Sequence, residues 1–369
     1  EIRGWFAEAE ASLRWTATEM ENFQSTCAHV DSAVTPLSAY ARAQQGWFCL
    51  RLGKLAEAER LLQSSLPSLR LFGKSIQLAD ALYYYGSIAW MTGDYTRART
   101  YYLEELEVAE QVGNQWDIGL ANGNLALVAQ TIGEYEEADQ RWQKALTTYR
   151  TLGDKRNVAA GLPFFGRIKY TLGAYAEARD CFRESLALSK SLGDRWIYGV
   201  ALSELGRVTQ ALGDHVEAVC LLNESVTLLR DLGEHWSTLR ALNTLGTVAL
   251  AAGALAESRA AYSEALILAW ERQTLPDVLA ALGGLVRYSA QQGAGEDVLH
   301  VALRSILFIL NHPAATQQLK DDARQLKAEL AAQLGAAQIE AAQAEARDWS
   351  LAAIVENSLS TWPTPIAGE

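Results

Sequence analysis

Glycine recurs at intervals of forty residues along this chain of 369 residues. One series runs from Gly53 to Gly293, and a second series, from Gly73 to Gly233, lies midway between its members with the same period. A fixed period of this size is typical of a solenoid built from repeated supersecondary units. The members are Gly53, Gly93, Gly133, Gly173, Gly213, Gly253 and Gly293, then Gly73, Gly113, Gly153, Gly193 and Gly233.

Between successive glycines the apolar residues have helical spacing. Leu202, Leu205 and Val208 show it in one repeat, at intervals close to 3.6 residues. Each glycine stands where a left-handed residue would end a helix, and the Asp that often follows it suits the N-cap of the next helix. Each repeat is therefore predicted to hold two antiparallel helices of about 17 residues, which we name helix A and helix B.

Composition limits the classes of function. The chain is 49% hydrophobic, yet it has no apolar run of the roughly 18 residues that a membrane-spanning helix needs. Its net charge of −12 disfavours direct binding of nucleic acid. No signal peptide is visible, so we expect a cytoplasmic protein.

No recognisable catalytic or cofactor motif occurs, which predicts that the chain is not an enzyme and needs neither cofactor nor metal. The acidic pair Glu104–Glu105 is expected on a B-helix surface. Irregularly spaced cysteines predict reduced, buried thiols. They are Cys27, Cys49, Cys181 and Cys220.

The repeats resemble the tetratricopeptide repeat (TPR) family. The stretches "FGRIKYTLGAYAEARDCF" (165–182) and "LGRVTQALGDHVEAVCLL" (205–222) follow its pattern of Leu-Gly, a turn, and Ala-x3-aromatic. The repeats are six residues longer than the usual TPR, as in the sensor regions of bacterial STAND NTPases and LuxR-type regulators. The resemblance implies an all-α, right-handed α-solenoid superhelix of antiparallel helix pairs, with C-terminal capping helices.

The register of the repeats predicts four parts. Residues 1–32 form a half repeat with a B-type helix, and residues 33–312 form seven hairpins. Residues 313–346 form capping helices, and residues 347–369 form a short helix and a frayed tail. Because the chain opens at the turn before a B helix, we expect it to be a piece of a longer protein.

In the family, A helices line a concave groove and B helices form its outer wall. The resemblance therefore implies groove residues three before, one after and about four after the small residue in helix A, and at the start of that helix. We expect the ligand to contact Tyr83, Tyr84, Trp90, Trp116, Arg156, Arg167, Tyr170, Trp196, Arg207, Trp236, Arg240, Asn243 and Arg287.

Two interpretations of these residues stay open. Each Trp at the start of an A helix either contacts ligand at the groove rim or covers the apolar seam between repeats. The arginines either attract an acidic segment of a ligand or pair with neighbours such as Glu204 and Asp80. Pro163 is expected either to interrupt its A helix and open the groove locally or to be tolerated as a first-turn proline.

The expected function is a ligand-sensing, protein-interaction domain. A peptide or protein would bind in the groove and control an upstream STAND-type ATPase or effector domain of the same polypeptide. A constitutive scaffold and a small-molecule sensor are the alternatives. We expect no nucleic-acid or membrane partner, and we expect the isolated chain to be monomeric.

Overall fold

The computed structural model describes residues 2–26, 34–52, 54–272, 274–292, 295–312, 315, 317–334, 336–345 and 350–362. Over these residues the chain forms eighteen α-helices and no β-strand. They divide into two compact units, unit 1 (Glu1–Ala174) and unit 2 (Tyr175–Glu369). The four-part division drawn from the repeat register stays a prediction.

Unit 1 alternates B and A helices. Neighbours in sequence pack against each other, and each A helix also contacts the next A helix. We call the surface made by these A helices the A-helix face of the unit. The helices are α1 (Ile2–Thr26), α2 (Val34–Arg51), α3 (Leu55–Leu71), α4 (Ile76–Met91), α5 (Tyr95–Val112), α6 (Gln115–Ile132), α7 (Tyr135–Thr151) and α8 (Lys155–Thr171), of which α2, α4, α6 and α8 are A helices.

Unit 2 repeats the arrangement, with A helices α10, α12, α14 and α16 in successive contact. The helices are α9 (Tyr175–Leu192), α10 (Arg195–Ala211), α11 (His215–Asp231), α12 (His235–Ala251), α13 (Leu255–Glu271), α14 (Leu275–Gln292), α15 (Glu296–Asn311), α16 (Gln317–Ala331), α17 (Ala336–Glu345) and α18 (Leu351–Thr361). The forty-residue spacing thus continues into the region expected to cap the array, because α16 starts 42 residues after α14 and α17 starts 40 residues after α15.

The turns confirm the role of the glycines. Ten glycines of the two series, from Gly73 to Gly253, have positive φ between 68° and 98°. In this left-handed region a side chain would be strained, so glycine ends the helices at low cost. The Asp residues that follow are N-caps, as predicted: each accepts a hydrogen bond from the backbone N–H three residues on. They are Asp94, Asp154, Asp194 and Asp214.

Helix pairs meet where helix A carries glycine. A Cβ placed on Gly86 of α4 would lie 2.5 Å from the ring of Tyr102 on α5. A Cβ on Gly246 of α12 would lie 2.7 Å from the ring of Tyr262 on α13. Because real Cβ atoms do not approach other atoms so closely, glycine at these positions makes room for a buried aromatic ring.

The last helix of unit 2 folds back onto B helices. Helix α18 contacts α13 and α15, and it buries Ile354, Val355 and Trp362. The hydroxyl of Ser263 on α13 donates a hydrogen bond to the carbonyl oxygen of Trp362 (3.0 Å). This closing segment covers apolar surface at the end of the repeat array.

Three expectations were wrong. Helix α8 continues without a break through Pro163, which is buried. Cys220 is exposed on α11, whereas Cys49 is buried; Cys27 lies outside the described residues. Glu105 is buried rather than on a surface. None of the described helices combines the length and the apolar character needed to cross a bilayer.

Candidate functional site

A cavity of about 360 Å³ lies on the A-helix face of unit 1. Three consecutive A helices (α2, α4 and α6) form its walls, and one B-helix residue reaches it from α5. The lining residues are Trp47, Leu50, Arg51, Ser87, Trp90, Met91, Tyr102, Asn124 and Leu127. Aromatic side chains, an arginine and an amide therefore meet in one concave place, as in many ligand sites.

Stacked aromatic rings support one wall of this cavity: Trp47 lines the cavity, and two tyrosines pack against Trp47. The ring of Trp47 lies 5.0 Å from that of Tyr84, nearly parallel to it, and 5.4 Å from that of Tyr83. Tyr83 and Tyr84 are themselves 5.5 Å apart between ring centroids. These distances are typical of favourable aromatic pairs, so the three rings hold each other in place.

Tyr102 reaches the cavity because α4 carries glycine at residue 86. Its hydroxyl donates a hydrogen bond to the Oγ of Ser87 (3.3 Å). The Ser87 hydroxyl donates in turn to the backbone carbonyl of Tyr83 (2.8 Å). This chain of hydrogen bonds fixes the polar part of the cavity floor.

Two hydrogen-bond donors at the cavity lack an acceptor. The guanidinium of Arg51 lies over the rings of Phe6 (5.2 Å) and Trp47 (5.8 Å). Within the part of the chain that the structure describes, no carboxylate oxygen lies within 4.0 Å of it. The amide nitrogen Nδ2 of Asn124 is buried and has no hydrogen-bond partner there. Buried donors in native proteins nearly always have a partner, so an unpaired donor in the cavity wall is unusual.

Three carboxyl groups lie inside unit 1 near these rings. Burial and the nearby charge of Asp80 raise the pKa of Asp117 to about 6. Burial, with the charges of Asp117 and Asp80, raises the pKa of Glu105 well above its usual range. Burial also raises the pKa of Asp80, which accepts a hydrogen bond from the Tyr40 hydroxyl (2.5 Å). Burial therefore disfavours the charged form of Glu105.

The remaining residues predicted in unit 1 lie elsewhere on its A helices. Trp116 is exposed, and its indole N–H donates to Asp154 of the next repeat (3.3 Å). Arg156 is exposed near that Asp, and Arg167 is half-buried over the ring of Phe164 (4.6 Å). The last, half-buried near the end of α8, is Tyr170.

In unit 2 the predicted tryptophans and arginines contact other groups of the same unit. The indole N–H of Trp196 donates to Ser237 of the next repeat (3.0 Å). The buried Glu204 accepts hydrogen bonds from Arg207 and Arg240. The Arg240 guanidinium also lies over the ring of Trp236 (4.9 Å). Trp116 and Trp196 thus link consecutive repeats while part of each ring remains exposed.

A smaller cavity of about 180 Å³ lies on the A-helix face of unit 2. Asn243, Arg287 and Tyr262 line it, and helix α16 covers one side. Arg287 donates a hydrogen bond to Asp322 of α16 (3.1 Å), so its charge is compensated within the chain.

Of the thirteen predicted residues, Trp90 lines the larger cavity, and Tyr83 and Tyr84 pack against Trp47 in its wall. The structure adds Trp47, Arg51, Asn124 and Tyr102, which sequence reasoning missed. The sequence held a signal for Trp47, because Trp47 directly follows the A-helix residue Gly46 in the same way that Ser87 directly follows Gly86. Arg51 and Asn124 had none, because their lack of partners is visible only in three dimensions.

The repeats match a known family model. The model described as "Tetratricopeptide repeat" matches residues 117–191 and 198–269. Over these two stretches the chain carries tetratricopeptide repeats. Among curated proteins, none is significantly similar to this chain in sequence.

Solved TPR structures share the fold of the chain at low sequence identity. The apo form of the quorum sensor NprR from B. thuringiensis has a TM-score of 0.59 and 17% identity, covering 97% of this chain and 98% of that protein. A Rap protein complexed with Competence and Sporulation Factor has a TM-score of 0.59 and 13% identity, covering 90% and 100%.

A STAND protein with a TPR sensor from Pyrococcus horikoshii has a TM-score of 0.58 and 12% identity. The match covers 96% of this chain but 55% of that protein. At these identities the similarity establishes the fold, a series of TPR helix pairs, and leaves the ligand of this chain to be argued from its own residues.

Proposed function

We propose that this chain is a ligand-sensing TPR domain whose A-helix face in unit 1 binds a peptide or protein segment. The observation that carries the proposal is the cavity at Trp47, Arg51 and Asn124, where an exposed guanidinium without a carboxylate partner in the described chain and a buried amide donor without an acceptor line one concave place. Aromatic residues and arginine are the types most enriched where binding energy concentrates in protein interfaces. Two proteins of the same fold, a Rap protein and NprR, are a factor-bound regulator and a quorum sensor, which supports a sensing role.

We further propose that ligand binding controls an upstream STAND-type ATPase or effector of the same polypeptide. The STAND protein with a TPR sensor supports this arrangement. In a repeat array each unit contacts mainly its neighbours, so small rotations between repeats accumulate along the array. A ligand with different affinities for two such arrangements would shift their populations and thereby switch the effector.

Site-specific photocrosslinking tests the binding surface. A photoreactive amino acid replaces Leu127 at the cavity or, as a control, Thr100, which is exposed on the B helix α5. We expect a discrete peptide or protein from a cell lysate to crosslink at residue 127 and not at residue 100, with mass spectrometry identifying it. Crosslinking at residue 100 alone would move the interface to the B helices and contradict the proposal.

Nucleotide hydrolysis separates a sensor from a constitutive scaffold. The purified polypeptide that includes any upstream ATPase would be assayed with and without the crosslinked ligand. A sensor changes the hydrolysis rate when the ligand is added, whereas a scaffold binds the ligand and leaves the hydrolysis rate unchanged. A small-molecule sensor remains the second candidate, because the cavity volume lies within the range of small-ligand sites.

A further inference from the structure

We propose that unit 2 holds a second interaction surface, a groove between the B helices α9 and α11 that binds an amphipathic α-helix of a partner protein. The partner helix carries an acidic and a basic side chain beside its apolar face. Because the groove lies between B helices of unit 2, the inference goes beyond the proposed function, which concerns the A helices of unit 1.

The groove runs between α9 and α11, and the first turns of the A helix α10 form its floor. Its volume is about 690 Å³, larger than the 360 Å³ of the cavity on the A-helix face of unit 1. A groove between two helices suits the rod shape of a third helix. The lining includes Lys190 of α9, Arg195 and Tyr198 of α10, and Glu224, Thr227 and Leu228 of α11.

Unit 2 itself shows that a helix covers such a pair of B helices. Helix α18 packs against α13 and α15, which are also consecutive B helices, and it buries Ile354 and Val355. Ser263 of α13 donates a hydrogen bond to the backbone of Trp362 just beyond α18. Within the described part of the chain, no helix lies across α9 and α11 in this way. A short helix with an apolar face is therefore the element that we expect there.

An ion pair joins consecutive B helices beside this groove and elsewhere in the chain. Lys190 and Glu224 also have opposite charges and the same separation of 34 residues. Among the described residues, however, no ion pair within 4.0 Å joins them, and the groove lies between them. The pairs that do form are Arg70–Glu104 and Arg230–Glu264, each 34 residues apart and each 2.6 Å between nitrogen and oxygen.

The open pair leaves complementary charges for a partner. Lys190 and Arg195 are exposed, and no carboxylate of the described chain lies within 4.0 Å of either. Glu224 lies on the opposite wall, where its charge adds to the effect of burial and raises the pKa of Tyr198. A helix with Glu and Arg four residues apart presents an acid to the cationic wall and a base to the anionic wall. A helix with two acids or two bases would be repelled by one wall.

Tyr198 and Leu228 supply the apolar contact. Both are half-buried in the floor and wall of the groove. The place of Tyr198 is held by Thr238 and Val278 in the next two repeats, so an aromatic ring at this place is a feature of the α9–α11 groove within unit 2. Leucines of a partner helix would bury apolar surface against this ring, and tyrosine is enriched where binding energy concentrates in interfaces.

Three fluorescent peptides test the groove on the intact chain. Each is an alanine-based helix of about 18 residues with two leucines on one face. Beside the leucines the peptides carry Glu and Arg four residues apart, two Glu, or two Arg. Fluorescence anisotropy is measured while protein is added. We expect the Glu–Arg peptide to bind at least about fivefold more tightly than either of the others.

Substitutions in the groove place the binding site. Thr227→Trp fills the groove from an exposed position of α11 and should weaken binding of the Glu–Arg peptide at least about tenfold. Thr100→Trp makes the same change at an exposed position of α5 in unit 1 and should leave binding unchanged. Glu224→Lys makes both walls cationic, so the peptide with two Glu should then bind best. Far-ultraviolet circular dichroism confirms that each variant is folded.

Four results would overturn the proposal: equal binding of the three peptides, equal effects of the two Trp substitutions, an unchanged preference in Glu224→Lys, or no binding up to about 1 mM protein. Light scattering tests a second copy of the chain as the occupant. If the chain alone forms dimers that Thr227→Trp dissociates, the groove is a self-association surface and the partner helix is wrong. Neither result bears on the proposed function, because residue 227 lies outside the cavity at residue 127.

Discussion

The cavities on the A-helix faces of unit 1 and unit 2 share one arrangement, a B-helix tyrosine packed on an A-helix glycine, in repeats that lie four apart along the chain. Tyr102 in unit 1 and Tyr262 in unit 2 each pass a glycine of helix A and bring a hydroxyl to Ser87 or Thr247. The next A helix differs, since it carries Asn124 in unit 1 and glycine at the matching residue 284 in unit 2. Glycine there lets Tyr262 fill the space, and the asparagine keeps the cavity of unit 1 larger and polar.

The surrounding charges differ in the same way. Unit 1 holds Asp80, Glu105 and Asp117 with raised pKa values. The matching residues of unit 2 are Arg240, Ala265 and Asp277, so one acid remains and an arginine lies near it. Unit 2 thus carries one acid and an arginine where unit 1 carries three acids, while a buried polar atom without a partner in the described chain lines each cavity, Asn124 Nδ2 in unit 1 and Asn243 Oδ1 in unit 2. Unpaired groups of this kind are more typical of binding surfaces than of structural ones.

The largest expected effect comes from substituting Gly284 of unit 2, whose counterpart in unit 1 is not a glycine. In Gly284→Ala the new Cβ would lie 2.2 Å from the ring of Tyr262, which Gly246 confines on its other side. We expect a loss of about 3 kcal/mol in the stability of unit 2. Hydrogen exchange of α12 to α14 measures it locally, which avoids assuming that the two units unfold together.

Two other glycines serve as controls for this substitution. Gly86→Ala should cost less, about 1 kcal/mol, because the Tyr102 ring can move into the open cavity. In Gly123→Ala the nearest atom, on Trp142, would lie 3.4 Å away, so the better helix propensity of alanine should stabilise by about 0.5 kcal/mol. Equal effects at 284 and 86 would mean that the cavities do not differ in packing.

The second prediction concerns the acids of unit 1. Glu105→Met keeps most of the side-chain volume and removes a buried oxygen that has no partner in the described structure. We expect unit 1 to gain about 2 kcal/mol at pH 8. Glu104→Met, at the neighbouring and more exposed position, removes an ion pair with Arg70 and should cost under about 1 kcal/mol.

The pH dependence has a definite sign. The pKa of Asp117 in the fold is about 6, above its ordinary value of 3.8, so the unfolded chain loses this proton first as pH rises. The contribution of Asp117 to the stability of unit 1 should therefore fall between about pH 4 and pH 6, by about 1–2 kcal/mol after allowance for screening. The raised pKa of Glu105 extends the loss of stability to higher pH. Asp117→Asn should flatten this part of the profile, and a wild-type stability that rises over the same range would contradict it.

These contrasts show what the sequence could predict. The forty-residue period and the Gly-Asp turns were enough for the helix pairs, because caps and helical periodicity are local properties. The position of Glu105 was not predictable from its neighbour Glu104, since burial depends on which face of α5 meets α4 and α6. Likewise, Arg207 and Arg51 look alike in sequence, and only the packed structure shows that Glu204 compensates the first and no carboxylate of the described chain reaches the second.

The third prediction compares the two tyrosine hydroxyls. Tyr262→Phe removes a hydrogen bond of 2.8 Å to Thr247 in a nearly filled site, and we expect a loss of about 1 kcal/mol. Tyr102→Phe removes a longer bond of 3.3 Å beside an open cavity, and the expected loss is about 0.3 kcal/mol. Denaturant midpoints of the two variants check the order, and a larger loss for Tyr102→Phe would show that its hydroxyl has a stronger partner than Ser87.

The smallest expected effect concerns the ion pair that links α14 to α16 beside the cavity of unit 2. Arg287 and Asp322 are 3.1 Å apart and both are partly exposed. A double-mutant cycle of Arg287→Ala and Asp322→Ala should give a coupling of about 0.5 kcal/mol, which falls further at high salt. If α16 depends on this pair, each single variant should also expose α16 to hydrogen exchange and open the cavity of unit 2. Unchanged exchange with the same small coupling would instead show that the apolar contacts of Leu319 and Leu326 hold α16, and that unit 2 is closed by packing.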